Sequence, residues 1–170
     1  MYQIGDWIYY GNVGACQVTG IRKMKIPGME QEHLYYTLQP FEDSCSISTP
    51  ADTGKVFMRP LISKDEAEKL ISAIPDIDAQ AYHNPVLRQL SEHYEAVLNT
   101  HDCRKLVQMT MSIYLKKQEA IRSKRKLGAV DERFMKKAED LLYGELAVAL
   151  GIEKKQVPDY IAARLEDGKA

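Results

Sequence analysis

The chemically most concentrated residues of this chain lie in the stretch 116–137. This stretch holds nine lysines and arginines but only three acidic residues, a net charge of +6, whereas the whole chain carries −1. Because clustered cations attract phosphates, the stretch predicts contact with a nucleic-acid backbone. A solvated helix end, where cations complement the helix dipole, is the alternative. The cations assigned to this contact are Lys117, Arg122, Lys124, Arg125 and Lys126.

Residues that could support catalysis or hold a ligand are sparse by comparison. Gly11 and Gly14 lie in the run YGNVGA, which lacks the spacing of a dinucleotide fingerprint and the Lys-Ser/Thr pair of a P-loop. A hairpin turn is therefore the favoured interpretation of this run. The four histidines and three cysteines do not stand at metal-ligand spacing, and no serine occupies a G-x-S-x-G elbow. We expect no enzyme, no cofactor and no metal site.

The composition is that of a globular protein, with 45% hydrophobic and 28% charged residues. No apolar run approaches the length of a membrane span, and the start MYQIGDW lacks the basic and apolar regions of a signal peptide. The three cysteines are far apart and odd in number, which fits reduced thiols better than a disulfide framework. We therefore expect a cytoplasmic protein that does not bind membranes.

Five short runs in the first 60 residues have the pattern of strands. They are WIYYG, GACQVTGIRKMKI, EHLYYTLQP, CSISTP and KVFMRP, with turn signals such as PG at 27–28 and DTG at 52–54 between them. No helical pattern separates the runs, which argues against a βαβ unit. The pattern predicts a small five-stranded Tudor/SH3-like β-barrel over residues 1–60, with Trp7 in its core.

After Pro60 the apolar period changes from 2 to 3.6, which predicts an all-α bundle of about five helices over residues 61–170. The fold class is therefore α+β in sequence order. Ser63 and Glu66 form a capping box at the start of the first helix. A linker, DIDAQAYH, precedes the second helix, for which Asn84 is the predicted cap. The apolar stripe of that helix is Leu87, Leu90, Tyr94, Val97 and Leu98.

The remaining helices are bounded by further capping and breaking residues. The third helix is predicted to begin near Thr100 and is broken by Gly128, with the basic residues towards its end. The fourth helix follows and stops at Gly151. Pro158 begins a short last helix, PDYIAARLEDG. If the third and fourth helices form a hairpin at Gly128, their cations converge on one end of the bundle.

Five segments span most of the chain in a characteristic order. They are GDWIYYGNVGACQVTGI, LYYTLQP, the Thr49-Pro50 end of the fourth strand, MRPLISKDEAEKLISAIP and KKAEDLLYGELAVALG. Together they resemble the CarD/CdnL family of bacterial transcription regulators. That family pairs a Tudor-like RNA-polymerase-interacting domain, shared with the transcription-repair coupling factor, with a helical DNA-binding domain. The resemblance implies a non-enzymatic regulator that docks on the polymerase β subunit, contacts double-stranded promoter DNA and modulates open-complex stability.

The resemblance also implies residues that contact each partner. Some relatives wedge a tryptophan into the minor groove at the melting edge, and it aligns near Leu87. Leu87, or Tyr82 in its place, is therefore the candidate wedge, although the helical stripe predicts Leu87 to be a core residue. The implied polymerase contacts are Arg22, Lys23, Met24, Lys25 and Ser48.

Two alternatives stay open. The chain could be an adaptor that binds polymerase or another protein without DNA-binding activity, because the aromatic wedge is replaced. A homodimer is also possible, since unpaired strand edges invite pairing. Which promoters respond, and whether the effect is activation or repression, does not follow from the sequence.

Overall fold

The structure, a computed structural model, describes residues 1–52 and 54–167. The chain divides into two compact units, Met1–Ile62 and Ser63–Ala170. In the described part of the chain, the strands lie in the first unit and the α-helices in the second, so the α+β organisation is confirmed. Thr53, in the predicted turn at 52–54, and Gly168, at the end of the predicted last helix, lie outside the described residues.

The first unit is an antiparallel sheet with the strand order β4-β3-β2-β1-β5. Consecutive strands pair from β1 to β4, and β5 returns to pair with β1. Within the described residues β4 and β5 do not pair, so the sheet stays open and the closed barrel predicted from the sequence is not confirmed. The strands are β1 (Trp7–Tyr10), β2 (Gly14–Lys25), β3 (Glu32–Pro40), β4 (Ile47–Pro50) and β5 (Met58–Pro60).

One face of this sheet holds the buried core of the unit. Successive strand residues point to opposite faces, so Trp7 and Tyr9 lie on the face opposite Ile8 and Tyr10, where Tyr9 is also fully buried. Trp7 precedes the fully buried Ile8 and lies instead edge-on against Phe41, half-buried, with the ring centroids 6.0 Å apart. Its predicted place in the core is therefore wrong. The core residues are Ile8, Tyr10, Cys16, Val18, Tyr36 and Leu38.

The run YGNVGA is a hairpin turn, as predicted. Tyr10 pairs with Gly14 across the ladder, and the Val13 N–H donates to the Tyr10 carbonyl at 2.9 Å. Gly11 and Gly14 both have positive φ, at 43° and 94°. A Cβ on Gly11 would lie 2.8 Å from Val56 Cγ1, so a side chain at this position would have to displace Val56 as well as adopt a positive φ.

The second unit contains helices joined mostly by short connections. Two single 3₁₀ turns, Ile74–Asp76 and Lys154–Gln156, adjoin the first and last of them. In the described part of the chain no helix is long and apolar enough to cross a membrane. The helices are α1 (Lys64–Ala73), α2 (Leu87–Leu98), α3 (Cys103–Arg122), α4 (Ala129–Leu150) and α5 (Val157–Asp167).

Side-chain caps define several of these helix starts. The capping box of α1 is confirmed, because Ser63 Oγ accepts from the Glu66 N–H and Glu66 accepts from the Ser63 N–H. The Asn84 cap is wrong: its Oδ1 accepts from the Val86 N–H at 2.9 Å in the turn before α2, which begins at Leu87. At the start of α3 the cap is Asp102, which accepts from two backbone N–H groups.

The apolar stripes of the helices meet in one core within the second unit. The α4 helix contributes most of it, because its inward face runs from Phe134 to Leu150. Helix α5 is tied to α1 by polar contacts, since Arg164 and Tyr160 both donate to the Glu68 carboxylate. Other residues at the centre are Ile71, Leu90, Leu98, Leu106 and Ile113.

Candidate functional site

The first candidate surface is the outer half of β2 in the sheet unit. Strand β1 pairs with β2 only over Gly14–Gln17, and the backbone of Gly5 and Asp6 bonds to Val18. After a bulge between Val18 and Gly20, β2 continues to Lys25 and, among the described strands, pairs there with β3 alone. A strand paired on one side presents main-chain donors and acceptors on the other, so this segment can accept a further strand.

The implied polymerase contacts are divided between the two sides of this segment. Arg22 and Met24 pair with Tyr35 and His33 of β3, and Ser48 of β4 pairs with Thr37 of the same strand. Because alternate residues share a face, Arg22, Met24 and Ser48 lie on the face opposite the core. Lys23 and Lys25 lie on the other face. All five side chains are exposed, so none of them is needed for packing.

The second candidate surface is the connection between α3 and α4, residues 122–128, which we call the basic turn. It begins with a Schellman motif at the end of α3: the Arg125 N–H donates to the Ala120 carbonyl at 2.7 Å, and the Lys124 N–H to Ile121 at 3.0 Å. Lys124 therefore has a left-handed backbone, with φ of 56°. Glycine is the usual residue at this position, as at Gly151 after α4.

The basic turn exposes the predicted cations together. Arg122, Lys124, Arg125 and Lys126 lie within five positions, and Lys117 lies on the preceding turns of α3. Within the described residues no carboxylate forms an ion pair with these five side chains. Their charge is therefore available to a partner. The first three turns of α4 add further exposed cations, Arg133, Lys136 and Lys137.

Lys116 differs from the other cations of the stretch because it is buried. Its Nζ lies 2.8 Å from Asp131 Oδ1, and the two side chains are only 9% and 8% exposed. The Tyr94 hydroxyl donates to the same oxygen at 2.5 Å. Burial, followed by this hydrogen bond, raises the pKa of Tyr94 well above its ordinary value of 10.0. The buried pair removes one cation and one carboxylate, so the exposed part of the stretch keeps its net charge of +6.

The segment DIDAQAYH, predicted as a linker, is instead fastened along α3. Gln108 Nε2 donates to the Asp78 carbonyl at 2.8 Å, and Ser112 Oγ to the Gln80 carbonyl at 2.6 Å. His83 then pairs with Glu119 at 3.0 Å, one turn before α3 ends. The segment thus leads the chain along α3, as far as its last turn, before α2 begins.

The two candidate wedge residues have different surroundings at that start. Leu87 is 62% exposed, so its predicted place in the core is wrong, because α2 begins there and its inward stripe starts at Leu90. The neighbouring Val86 is exposed as well, at 48%. Tyr82 is half-buried and stacked on His93, with the ring centroids 3.8 Å apart. Of the two candidates, Leu87 is the side chain that is free to insert elsewhere.

A cavity of about 590 Å³ lies between the fastened segment and helices α2 and α3. Its walls include His93, Lys105, Gln108 and Ser112. Burial, then Lys116, lowers the pKa of His93. The side chains of Gln108 and Ser112 are already engaged with the segment's carbonyls, which assigns them a structural task. In the described ranges no group of three or more histidine, cysteine or acidic residues could hold a metal ion.

Comparison with protein-family models gives a match that covers the sheet unit. Residues 2–62 match the model described as the CarD-like/TRCF RID domain. The predicted resemblance to the CarD/CdnL family is thereby confirmed, and the chain is consistent with a CarD/CdnL-like protein that has a helical C-terminal region. The RID domain belongs to a non-catalytic family and implies interaction with RNA polymerase.

The buried Lys116–Asp131–Tyr94 cluster is the part of the helical unit that the sequence interpretation missed. A usable signal was present, because Lys116 continues the apolar spacing of Leu106, Met109 and Ile113 on α3. A lysine is almost never fully buried unless its charge is paired, so a lysine on an apolar stripe indicates a buried partner. Asp131 stands in the same relation to Phe134 and Ala138 on α4. Neither pattern names its partner, which lies on another helix.

Proposed function

We propose that this protein is a transcription regulator that docks on the RNA polymerase β subunit through its RID domain and contacts promoter DNA through its helical unit. In this role it modulates the stability of the open promoter complex in the bacterial cytoplasm, without catalysing a reaction. The observation that carries the proposal is the RID match over residues 2–62, since it names the kind of partner. The exposed cations of the basic turn support the DNA part.

The outer half of β2 is the proposed docking edge of a Tudor-like domain. An extended segment of the β subunit would add as a further strand, held by main-chain hydrogen bonds. Arg22, Met24 and Ser48 would flank that strand on one face, and Lys23 and Lys25 on the other. Such a mode relies on the main chain of the unpaired strand edge more than on any one side chain.

A binding assay with the isolated β-subunit lobe tests this docking. We expect the full chain to bind it at micromolar concentration, and the variants Arg22→Glu and Lys23→Glu to bind more weakly. Lys55→Glu is the matched control, because Lys55 is an exposed lysine of the same unit outside β2. Absence of binding by the wild type sinks the docking proposal. Equal loss in all three variants means that general charge, and not the β2 edge, drives association.

The DNA contact is proposed to be electrostatic and largely independent of sequence. Cations presented on a turn reach phosphates, and affinity should fall steeply with salt. Reversal of Arg122, Lys124 and Arg125 to glutamate should abolish binding to duplex DNA in a fluorescence-anisotropy titration. The control reverses three exposed lysines elsewhere in the helical unit, Lys64, Lys69 and Lys155. It carries the same change in net charge, so equal loss in both would refute the assignment to the basic turn.

Leu87 is the proposed wedge at the melting edge. It is exposed at the start of α2, beside the fastened segment that pairs with the end of α3 through His83 and Glu119. An exposed apolar side chain on the same unit as phosphate-binding cations can enter a partly unstacked base step. Leu87→Ala should shorten the lifetime of open complexes, whereas Glu95→Ala, at the far end of α2, should not. Equal lifetimes for wild type and Leu87→Ala would remove the wedge.

The second candidate function is a polymerase-binding adaptor without DNA-binding activity. Leucine in place of the aromatic wedge favours it, as do the acidic stretches on both sides of residues 116–137. Normal binding to the β lobe together with no affinity for DNA at low salt would establish the adaptor. The open edges of β4 and β5 leave room for a homodimer, which light scattering on the purified chain would detect.

A further inference from the structure

The buried cluster of Lys116, Asp131 and Tyr94 joins three helices at one oxygen atom. Asp131 Oδ1 accepts from Lys116 Nζ of α3 at 2.8 Å and from the Tyr94 hydroxyl of α2 at 2.5 Å. Tyr94 is 1% exposed, and the two charged side chains are nearly as buried. Apolar residues of similar size commonly replace a buried ion pair without loss of stability, so stability alone does not account for this one.

The cluster lies at the base of the basic turn, between the last turns of α3 and the first turn of α4. Lys116 precedes the end of α3 by six residues, and Asp131 is the third residue of α4. A Cβ on Gly128 would lie 3.2 Å from Asp131 Oδ2, so the chain enters α4 in close approach to this carboxylate. The ion pair therefore closes the base of a hairpin loop, and Lys117 and the cations of the basic turn all belong to that loop.

We propose that Asp131 is the positioning residue of the DNA-contacting surface. Its carboxylate holds the start of α4 against α3 and α2, and so sets the relative positions of the cations on both sides of the basic turn. Asp131 does not touch DNA; it acts through Lys116 and Tyr94. This inference rests on the proposed DNA contact. It assigns a favourable role in DNA binding to an acidic residue whose charge alone would repel phosphate.

Electrostatics alone and positioning predict the same direction for Lys116→Met but different results for Asp131→Asn and Tyr94→Phe. Asp131→Asn removes a negative charge, so electrostatics alone predicts tighter DNA binding. Lys116→Met removes a positive charge and predicts weaker binding, and Tyr94→Phe changes no charge and predicts no effect. If the cluster positions the cations, all three substitutions weaken binding, because each removes one arm of the same junction.

The experiment titrates duplex DNA with the full chain and each variant over a series of salt concentrations, well below each variant's unfolding midpoint. We expect roughly tenfold weaker binding for Asp131→Asn and a salt slope shallower by about 1.8, as for the loss of about two phosphate contacts. Glu132→Gln is the matched control, since Glu132 is the exposed neighbour with the same charge. It should bind DNA as well as the wild type or slightly better.

Each outcome decides the proposal. If Asp131→Asn binds like Glu132→Gln with an unchanged salt slope, Asp131 has only a structural role and the inference is overturned, while the DNA contact stands. If the wild type fails to bind DNA at low salt, the proposed function falls and this inference with it. Should Asp131→Asn not fold, Tyr94→Phe carries the same test, because it keeps both charges and its unchanged affinity and slope would refute positioning.

Discussion

The left-handed lysine of the basic turn leads to a prediction in which stability and DNA binding change in opposite directions. At Lys124 the φ of 56° places a non-glycine residue in a conformation that costs roughly 1–2 kcal/mol. Glycine avoids this strain but loses about 0.5–1 kcal/mol more conformational entropy on folding. Lys124→Gly should therefore stabilise the helical unit by about 0.5–1 kcal/mol and raise its thermal midpoint by roughly 2–8 °C. The same substitution removes a cation and should weaken DNA binding.

Thermal unfolding followed by circular dichroism at the helix band, together with the DNA titration, measures both effects. Lys124→Gln is the first control: it removes the cation but keeps the strain, so it should weaken DNA binding without raising the midpoint. Gly151→Ala is the second, because Gly151 occupies the same position of the same motif after α4, with φ of 71°. A Cβ at position 151 would meet no atom within 4 Å. The loss of stability in Gly151→Ala should therefore come from the positive φ alone.

Two results would refute this reasoning. A thermal midpoint for Lys124→Gly at or below that of the wild type would show that the strain of the positive φ does not exceed the entropy that glycine loses on folding. Unchanged DNA affinity in both Lys124 variants would show that this side chain does not contact phosphate. If both effects occur as expected, Lys124 is a position where function is retained at the expense of stability.

The other predictions concern acid sensitivity and thiol reactivity. A hydrogen bond from Tyr160, together with Arg164, lowers the pKa of the Glu68 carboxyl below its ordinary 4.5. The α1–α5 contact should therefore contribute fully to the free energy of unfolding above pH 4.5, and this contribution should be lost as pH falls through the lowered pKa. The unfolding midpoint of Glu68→Gln should then depend less on acidic pH than that of the wild type, and parallel curves would contradict this. Burial raises the pKa of the Cys16 thiol to about 11. Iodoacetamide at pH 8.5 should therefore label the exposed Cys45 long before Cys16 in the folded protein, and mass spectrometry of the peptides measures both rates. Equal labelling rates would mean that the sheet core opens readily.

Much of the fold follows from signals that act over a few residues. The hairpin turn at Gly11 and Gly14, the capping box at Ser63 and the stop at Gly151 all lie where they were predicted, because φ preference and capping are local properties. The starts of α2 and α3 were predicted less well. Several polar residues precede each of them, and only the folded backbone decides which side chain reaches the free N–H groups.

The strand pattern did not decide whether the sheet is open or closes into a barrel. The five strands and their turns fit either, and closure depends on whether the two end strands of the sheet, β4 and β5, pair with each other. The position of Trp7 is a related case. The aromatic run WIYY predicts a strand, but which of its alternate residues face the core depends on the pairing of Ile8 with Cys16.

The sequence by itself determined the order of strands and helices, the resemblance to the CarD/CdnL family and the concentration of positive charge before and after Gly128. These depend on composition, periodicity and short motifs, which are present before the chain folds. Only the tertiary structure decided that Lys116 is buried while its neighbours are exposed, and that Leu87 is exposed while Tyr82 stacks on His93. The physical reason is that burial and pairing come from contacts between distant positions: Asp131 meets partners 15 and 37 residues away on two other helices.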